Sequence, residues 1–74
     1  MPDPRTTTLE IIVNGEKREA LEGRTLLAFL ESLGLDESRI AVELDGLIVK
    51  KNAWTSTVLH SGARLEIVQF VGGG

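Results

Sequence analysis

The sequence predicts one α+β domain, in which a single main helix crosses one face of a mixed sheet of four or five strands. Several short segments alternate apolar and polar residues, one segment has helical spacing, and the pairs Asn14-Gly15 and Asp45-Gly46 are typical of tight hairpin turns. Because the helix falls between a hairpin and later strands, it has to cross the sheet, and the opposite face is left to water or to a partner. A chain of 74 residues has room for one such core.

The first two elements form a hairpin. Residues 1–8, with two prolines and a run of threonines, are typical of a flexible N-terminal arm. From residue 9 the pattern alternates, so that Leu9, Ile11 and Val13 share one face of a strand and Ile12 lies on the other. Asn14-Gly15 favours a type I′ turn, which needs positive φ at both central residues. Residues 16–21 then return as a polar edge strand.

The main helix follows Thr25, whose hydroxyl is a suitable N-cap. Its apolar stripe has the spacing i, i+1, i+3, i+4 and i+7 over two turns and consists of Leu26, Leu27, Phe29, Leu30 and Leu33. Gly34 suits the left-handed position just after a helix, with Leu35 placed for an apolar contact. We therefore expect the helix to end at Leu33.

The second half of the chain adds three strands. Residues 40–44 alternate, Asp45-Gly46 turns the chain, and residues 47–51 return. Residues 52–61 are less regular, and we expect three apolar side chains to attach them to the core: Trp54, Val58 and Leu59. Residues 64–71 form the last strand. This order of elements indicates a roll of the β-grasp type over residues 9–71, followed by a flexible tail at residues 72–74.

Apolar side chains are expected on the sheet face that the helix does not cover. In the last strand Leu65 and Ile67 point to one face, while Val68 and Phe70 point to the other. Ile12 lies at an alternating position that places it on the same face as Val68 and Phe70. Val71 follows Phe70 and directly precedes the glycine tail. Exposed apolar patches of this kind mark interaction sites. The sequence therefore predicts a partner interface formed by Ile12, Val68, Phe70 and Val71.

Composition excludes most catalytic chemistry from the side chains. The chain has no cysteine and one histidine, His60, so thiolate sites and paired-histidine metal sites are absent from the sequence. Three aromatic residues and a net charge of −3 argue against nucleic-acid binding. No apolar run approaches the ~18–20 residues of a membrane span, and no secretory signal is recognisable. We expect a cytoplasmic protein that is not an enzyme, binds no metal or cofactor, and contacts neither membrane nor nucleic acid.

The last three residues, Gly72-Gly73-Gly74, are the most unusual feature of the sequence. At ~7% average glycine usage, three in a row at a given site arise by chance roughly three times in ten thousand. Such a tail is slim enough to thread a narrow channel in another protein, and its only functional group is the Gly74 carboxylate. An ionised carboxylate is a poor acyl donor, so reaction there requires activation, for example adenylation. The alternative is a loose terminus without a role.

Several segments carry a resemblance to a known family: residues 11–16, Thr25-Leu26 with the helix to Leu35, residues 41–49, Trp54, Leu59, and residues 62–74. In these segments the chain resembles the ThiS sulfur carriers of thiamine biosynthesis, which are small ubiquitin-like proteins. The similarity covers about residues 9–74, and its most specific part is the glycine ending. The sequence departs from the family at Gly62-Ala63, where Gly-Asp is frequent, and at Asp45, where Asn is frequent.

The resemblance implies a carrier function and its partners. A ThiF-type adenylyltransferase would use ATP to adenylate Gly74, while Gly72 and Gly73 thread into the partner's active site. Sulfur from a cysteine desulfurase route would convert the adenylate into a C-terminal thiocarboxylate. A ThiG-type thiazole synthase would accept that sulfur. The carrier itself would bind no cofactor.

Two other functions remain open at this point. The same carrier chemistry could serve molybdopterin or another sulfur acceptor, as in MoaD-type proteins, although these usually run longer and approach the tail with a proline-containing segment. From a different class, the chain could be a ubiquitin-like interaction or conjugation module, which would need a conjugation machinery. The final sulfur acceptor and the oligomeric state are not readable from the sequence.

Overall fold

The structure is a computed structural model that describes residues 7–71, so the first six residues of the predicted arm and all three tail glycines lie outside it. The elements are β1 Thr8–Val13, β2 Glu16–Leu21, α1 Leu26–Ser32, β3 Ile40–Leu44, β4 Leu47–Ile48 and β5 Arg64–Gln69, with short 3₁₀ turns at Glu37–Arg39 and Lys51–Ala53. The five strands form one sheet in the order β2-β1-β5-β3-β4. The β1–β5 pair is parallel and the other pairs are antiparallel.

Both predicted hairpin turns are confirmed. Asn14 and Gly15 have φ values of 50° and 83°, and Asp45 and Gly46 have 52° and 85°. These are the left-handed conformations that a type I′ turn requires, and Asn and Asp tolerate them better than other side chains. The turns set the β1–β2 register, in which Val13 faces Glu16, and the β3–β4 register, in which Leu44 faces Leu47.

The start of α1 is fastened by the irregular segment over residues 52–61. The Thr25 hydroxyl accepts a hydrogen bond from the Ala28 N–H at 3.1 Å, as expected of an N-cap. The Leu26 N–H donates to the Thr57 carbonyl at 2.7 Å, and the Leu27 N–H donates to the Trp54 carbonyl at 3.1 Å. Of the N–H groups that a helix start leaves without intrahelical partners, those of Leu26 and Leu27 are thus satisfied by this segment and that of Ala28 by the N-cap.

One apolar core lies between α1 and the sheet. It combines inward residues of four strands with the helix stripe and with Trp54 and Leu59, as the alternation and the helical spacing predicted. The Trp54 side chain is 2% exposed, and its indole N–H donates to the Val49 carbonyl at 2.9 Å. The buried residues are Ile11, Val13, Ala20, Leu26, Phe29, Leu30, Ile40, Val42, Trp54, Leu59, Ala63 and Leu65.

Two predicted strands are shorter in the structure. β4 contains only Leu47 and Ile48 instead of residues 47–51. The strand stops there because the chain forms a 3₁₀ turn at Lys51–Ala53, which brings the Trp54 indole within hydrogen-bonding distance of the Val49 carbonyl. β5 ends at Gln69, so Phe70 and Val71 lie beyond the strand. The Phe70 N–H nevertheless donates to the Arg39 carbonyl at 2.7 Å, which continues the contact with the chain before β3.

Three smaller differences concern single residues. β1 begins at Thr8, so the strand includes the last residue of the predicted arm. The helix ends at Ser32 with Leu33 as its C-cap, and Gly34 is left-handed at φ 73° as expected. Val58 was predicted to contact the core, but it is 55% exposed. It pairs with Thr25 in an isolated antiparallel bridge, and alternation then turns Leu59 inward and Val58 outward.

The opposite sheet face is not covered by α1, which agrees with the predicted β-grasp arrangement. Within residues 7–71, no helix has the length and apolar character needed to cross a membrane.

Candidate functional site

β5 leads directly toward the C-terminal glycines and occupies the centre of the sheet. It is parallel to β1 on one side and antiparallel to β3 on the other, with Val68 opposite Ala41. Because both neighbours hold it, the position at which the chain leaves the sheet is fixed at Phe70. The predicted threading residues Gly72 and Gly73 are two and three positions after Phe70, and the predicted reactive residue Gly74 is four positions after it; all three lie outside the described residues.

The side chain of Asn14 extends the β1–β5 ladder beyond the end of β1. Its Oδ1 accepts a hydrogen bond from the Ile67 N–H at 2.7 Å, and its Nδ2 donates to the Ile67 carbonyl at 3.1 Å. An amide can donate and accept at once, so it replaces a strand residue as the partner of β5. The sequence predicts only a turn role for Asn14. Asp or Gly would also suit this turn position, so the amide is the one local feature that distinguishes Asn14 as a partner for β5.

The second hairpin holds the start of β5 in a similar way. Asp45 accepts a hydrogen bond from the Arg64 N–H at 3.0 Å through Oδ1. Its Oδ2 lies 2.6 Å from His60 Nε2, and His60 Nδ1 lies 2.9 Å from the Ser61 carbonyl. Both ring nitrogens therefore face acceptors, an arrangement that suits the doubly protonated imidazolium. His60 thus has a structural contact that the sequence did not predict.

We expect the His60 imidazole to titrate above its ordinary value of 6.5. The hydrogen bond to Asp45 raises the pKa of His60, with a further contribution from the Ser61 carbonyl. The Arg64 N–H and then His60 lower the pKa of Asp45 below 3.8. His60 therefore adds to the free energy of unfolding below pH 6.5, and this contribution is lost as the pH rises through the folded pKa. Asp45 contributes above pH 3.8, and its contribution is lost as the pH falls through its own folded pKa.

The measurement is an NMR titration of the His60 ring protons in the native chain and in Asp45→Asn. We expect the midpoint to lie above 6.5 in the native chain and to move toward 6.5 in the variant. Asn keeps the positive φ of this turn position accessible, which makes it a suitable control. Equal midpoints in the two proteins would contradict the assignment of Asp45 as the main cause.

The predicted partner residues lie on the open sheet face or directly after it. Val68, Phe70 and Val71 are 56%, 57% and 89% exposed, whereas Ile12 is only partly exposed. Ile12 pairs with Arg64, four residues before Val68 along β5, which corresponds to about 13 Å. The structure thus brings Val68, Phe70 and Val71 together near the tail and places Ile12 in a separate row. The proposed role of these residues as an interface stays a prediction.

Two exposed apolar residues of β4 were missed as surface candidates. Leu47 is 73% exposed and Ile48 is 76% exposed, and Ile48 pairs with Glu43 of β3 on the open face. The sequence predicts a strand at both residues and indicates no contact role for them. Their exposure follows from the edge position of β4, which depends on the order of the strands in the sheet.

Comparisons with known proteins point to one family. The ThiS family profile matches residues 11–74. The chain is 38% identical over 66 residues, 89% of its length, to a thiazole synthase of Paramagnetospirillum magneticum, of which it spans only 20%. It is 31% identical over 68 residues to the protein ycf40 of Pyropia yezoensis, covering 92% of this chain and 96% of that protein.

A solved structure agrees with these sequence matches. The crystal structure of the thiamine biosynthesis protein ThiS from Geobacter metallireducens superposes with a TM-score of 0.76 at 26% identity, covering 89% of this chain and 100% of the other. This likeness confirms the β-grasp fold. Because the family profile covers most of the chain and continues through the last glycine, the chain belongs to the ThiS family.

Proposed function

We propose that this chain is a sulfur carrier of thiamine biosynthesis and that its Gly74 carboxylate carries the sulfur. The observation that supports this most directly is the ThiS family match over residues 11–74, which includes the whole glycine tail. The described geometry is compatible with it, since β5, the last strand before the glycines in the sequence, lies at the centre of the sheet. The catalysts would be the partner enzymes, and the carrier would be their co-substrate.

The proposed chemistry has three balanced steps. A carboxylate oxygen of Gly74 attacks the α-phosphorus of ATP on a ThiF-type adenylyltransferase, and pyrophosphate leaves. The terminal sulfur of a persulfide, supplied through a cysteine desulfurase route, attacks the acyl carbon, and AMP leaves. A second thiol, from the sulfur-donor protein or from free cysteine, then attacks the outer sulfur of the resulting acyl disulfide, so that the thiocarboxylate leaves and a disulfide forms between that thiol and the former persulfide cysteine. Adenylation is needed because an ionised carboxylate, with a pKa near ~3.3–3.7, has no good leaving group.

We further propose a ThiG-type thiazole synthase as the sulfur acceptor. The support is the 38% identity to a segment of a thiazole synthase. The chain spans about a fifth of that relative's length, so the match concerns the carrier-like segment and not the whole synthase.

Intact-mass spectrometry tests the proposed function. The chain is incubated with ATP, a ThiF-type adenylyltransferase, a cysteine desulfurase and cysteine, and we expect one C-terminal oxygen to be replaced by sulfur. Oxidation of Met1 gives nearly the same mass change, so the product is also treated with iodoacetamide, which alkylates a thiocarboxylate but not a sulfoxide. A reaction without ATP serves as the control. An unmodified C-terminus under all conditions would contradict the proposal.

Replacement of Phe70 by alanine is expected to weaken binding to the adenylyltransferase about tenfold, or ~1.4 kcal/mol. Aromatic residues at the centre of an interface often contribute most of its affinity. Since the Phe70 side chain is 57% exposed, the free energy of unfolding should change by no more than ~0.5 kcal/mol. Binding is measured by titration calorimetry and stability by urea unfolding.

Val58→Ala is the matched control, because Val58 is similarly exposed at 55% but lies in the segment at the helix start. It should leave the affinity unchanged. A large loss of stability in Phe70→Ala, with affinity preserved, would instead assign Phe70 to the core.

A further inference from the structure

The open sheet face carries two pairs of glutamates that the strand register places directly opposite each other. Glu43 of β3 faces Glu66 of β5, and Glu10 of β1 faces Glu19 of β2. Directly opposed residues have Cβ atoms ~4.5–5.5 Å apart, and like charges at this distance destabilise the sheet. All four side chains are exposed. The fold therefore keeps an unfavourable charge arrangement on the face that α1 leaves open.

Nothing in the described part of the chain neutralises the Glu43–Glu66 pair. Among residues 7–71, the ion pairs within 4 Å are Arg39 with Asp36 and His60 with Asp45. Arg64 shares this sheet face with Glu66, two positions earlier along β5, yet no ion pair joins them. Two neighbouring carboxylates without a cation form a site at which an incoming ammonium or guanidinium group would relieve repulsion and gain two partners.

The surroundings of this pair differ from those of the other. On one side of Glu43 lies Ile48, which is 76% exposed. The next row toward the tail is Ala41 with Val68, and Phe70 follows. Charged groups that border exposed apolar residues are typical of a protein interface, in which a polar rim surrounds an apolar core. Glu10 and Glu19 lie at the other end of the face, next to the row of Ile12 and Lys17.

We propose that Glu43 and Glu66 together receive one Lys or Arg side chain of the enzyme that activates Gly74, while Val68 and Phe70 contact apolar residues around it. This inference rests on the proposed function. Gly74 is eight residues beyond Glu66, so an extended chain spans at most ~26–29 Å between them. One enzyme surface can therefore cover the glutamate pair while its active site holds the tail. Charge complementarity of this kind selects partners and accelerates association.

The test compares two double variants of equal charge change, Glu43→Gln with Glu66→Gln, and Glu10→Gln with Glu19→Gln. Affinity for a ThiF-type adenylyltransferase is measured at several salt concentrations. We expect Kd to rise about tenfold in the first variant and less than about twofold in the second. The first variant should also lose part of the salt dependence, whereas the melting temperature of both should equal or exceed that of the native chain, because repulsion is removed.

Two results would overturn the inference: an unchanged Kd in the Glu43–Glu66 variant, or equal weakening by both variants, which would show only an effect of net charge. A paired measurement separates this from failure of the proposed function. If the native chain forms the thiocarboxylate while the Glu43–Glu66 variant binds as tightly as the native chain, the inference alone fails. If the native chain is never activated, the proposed function fails.

Discussion

Replacement of Trp54 by alanine is expected to remove a large part of the domain's free energy of unfolding. Removing a buried Trp side chain costs about 3–5 kcal/mol through lost burial and the cavity left behind. The loss of its indole N–H also leaves the Val49 carbonyl without that hydrogen bond. Domains have roughly 0.05–0.15 kcal/mol of stability per residue, which gives about 4–11 kcal/mol for 74 residues. The substitution therefore removes much or all of the available stability.

Trp54→Phe separates the two contributions. The phenyl ring keeps much of the buried volume and loses the hydrogen bond, so we expect a smaller loss of about 1–3 kcal/mol. Val58→Ala, in the same segment but 55% exposed, should change stability by no more than ~0.5 kcal/mol. Far-UV circular dichroism in urea is the appropriate measurement, since Trp54 is the only tryptophan and fluorescence would be lost with it. Similar urea midpoints for Trp54→Ala and Val58→Ala would contradict the assignment of Trp54 to the core.

The fold could be predicted because its signals are local. Alternation in β1, β3 and β5, the helical spacing of α1, and the Asx-Gly turns are each readable within a few residues. These signals specify which face a side chain lies on. They also specify where the chain reverses, as the left-handed φ values of Asn14 and Asp45 confirm.

The remaining details depend on register between distant strands, which local pattern does not contain. Asn14 and Ile67 are 53 positions apart, and their hydrogen bonds exist because β5 extends past the end of β1. In the same way, the alternation of side chains predicts that Ile12 and Val68 lie on one face of the sheet. Only the β1–β5 register shows that Ile12 lies opposite Arg64, four residues before Val68 along β5. The opposition of Glu43 and Glu66 likewise follows from the β3–β5 register.

The early end of β4 has a different physical cause. The apolar run Leu47-Ile48-Val49 after the Asp45-Gly46 turn favours a returning strand, but tertiary contacts override this preference. The Val49 carbonyl accepts the Trp54 indole N–H, and the intervening residues form a 3₁₀ turn that brings the indole into the core. Burial of so large a side chain outweighs the continuation of a two-residue edge strand.

Deletion of Gly74 is expected to reduce adenylation at least about a hundredfold, a prediction that rests on the proposed function. The deletion leaves a carboxylate on Gly73, so the chemical group is preserved while its position shifts by one residue, about 3.5 Å along an extended chain. Misplacement of a reacting group by about 1 Å can already cost a hundredfold in rate. A carrier whose function depends on tail length should therefore lose activation even though it still ends in glycine.

The rate is measured as ATP-dependent pyrophosphate release with a ThiF-type adenylyltransferase, and the melting temperature is recorded in parallel to separate activation from folding. Gly73→Ala keeps the length of the tail and adds one methyl group, so it should retain more activity than the deletion. Removal of residues 1–6 is the control at the opposite end and should leave the rate unchanged. The proposed mechanism requires a terminal carboxylate at the position of Gly74 and not merely a carboxylate at the end of the chain. Gly74 is therefore not the reactive residue if the chain that lacks it is adenylated at the native rate, or if that chain supports a thiamine-requiring strain as well as the full chain does.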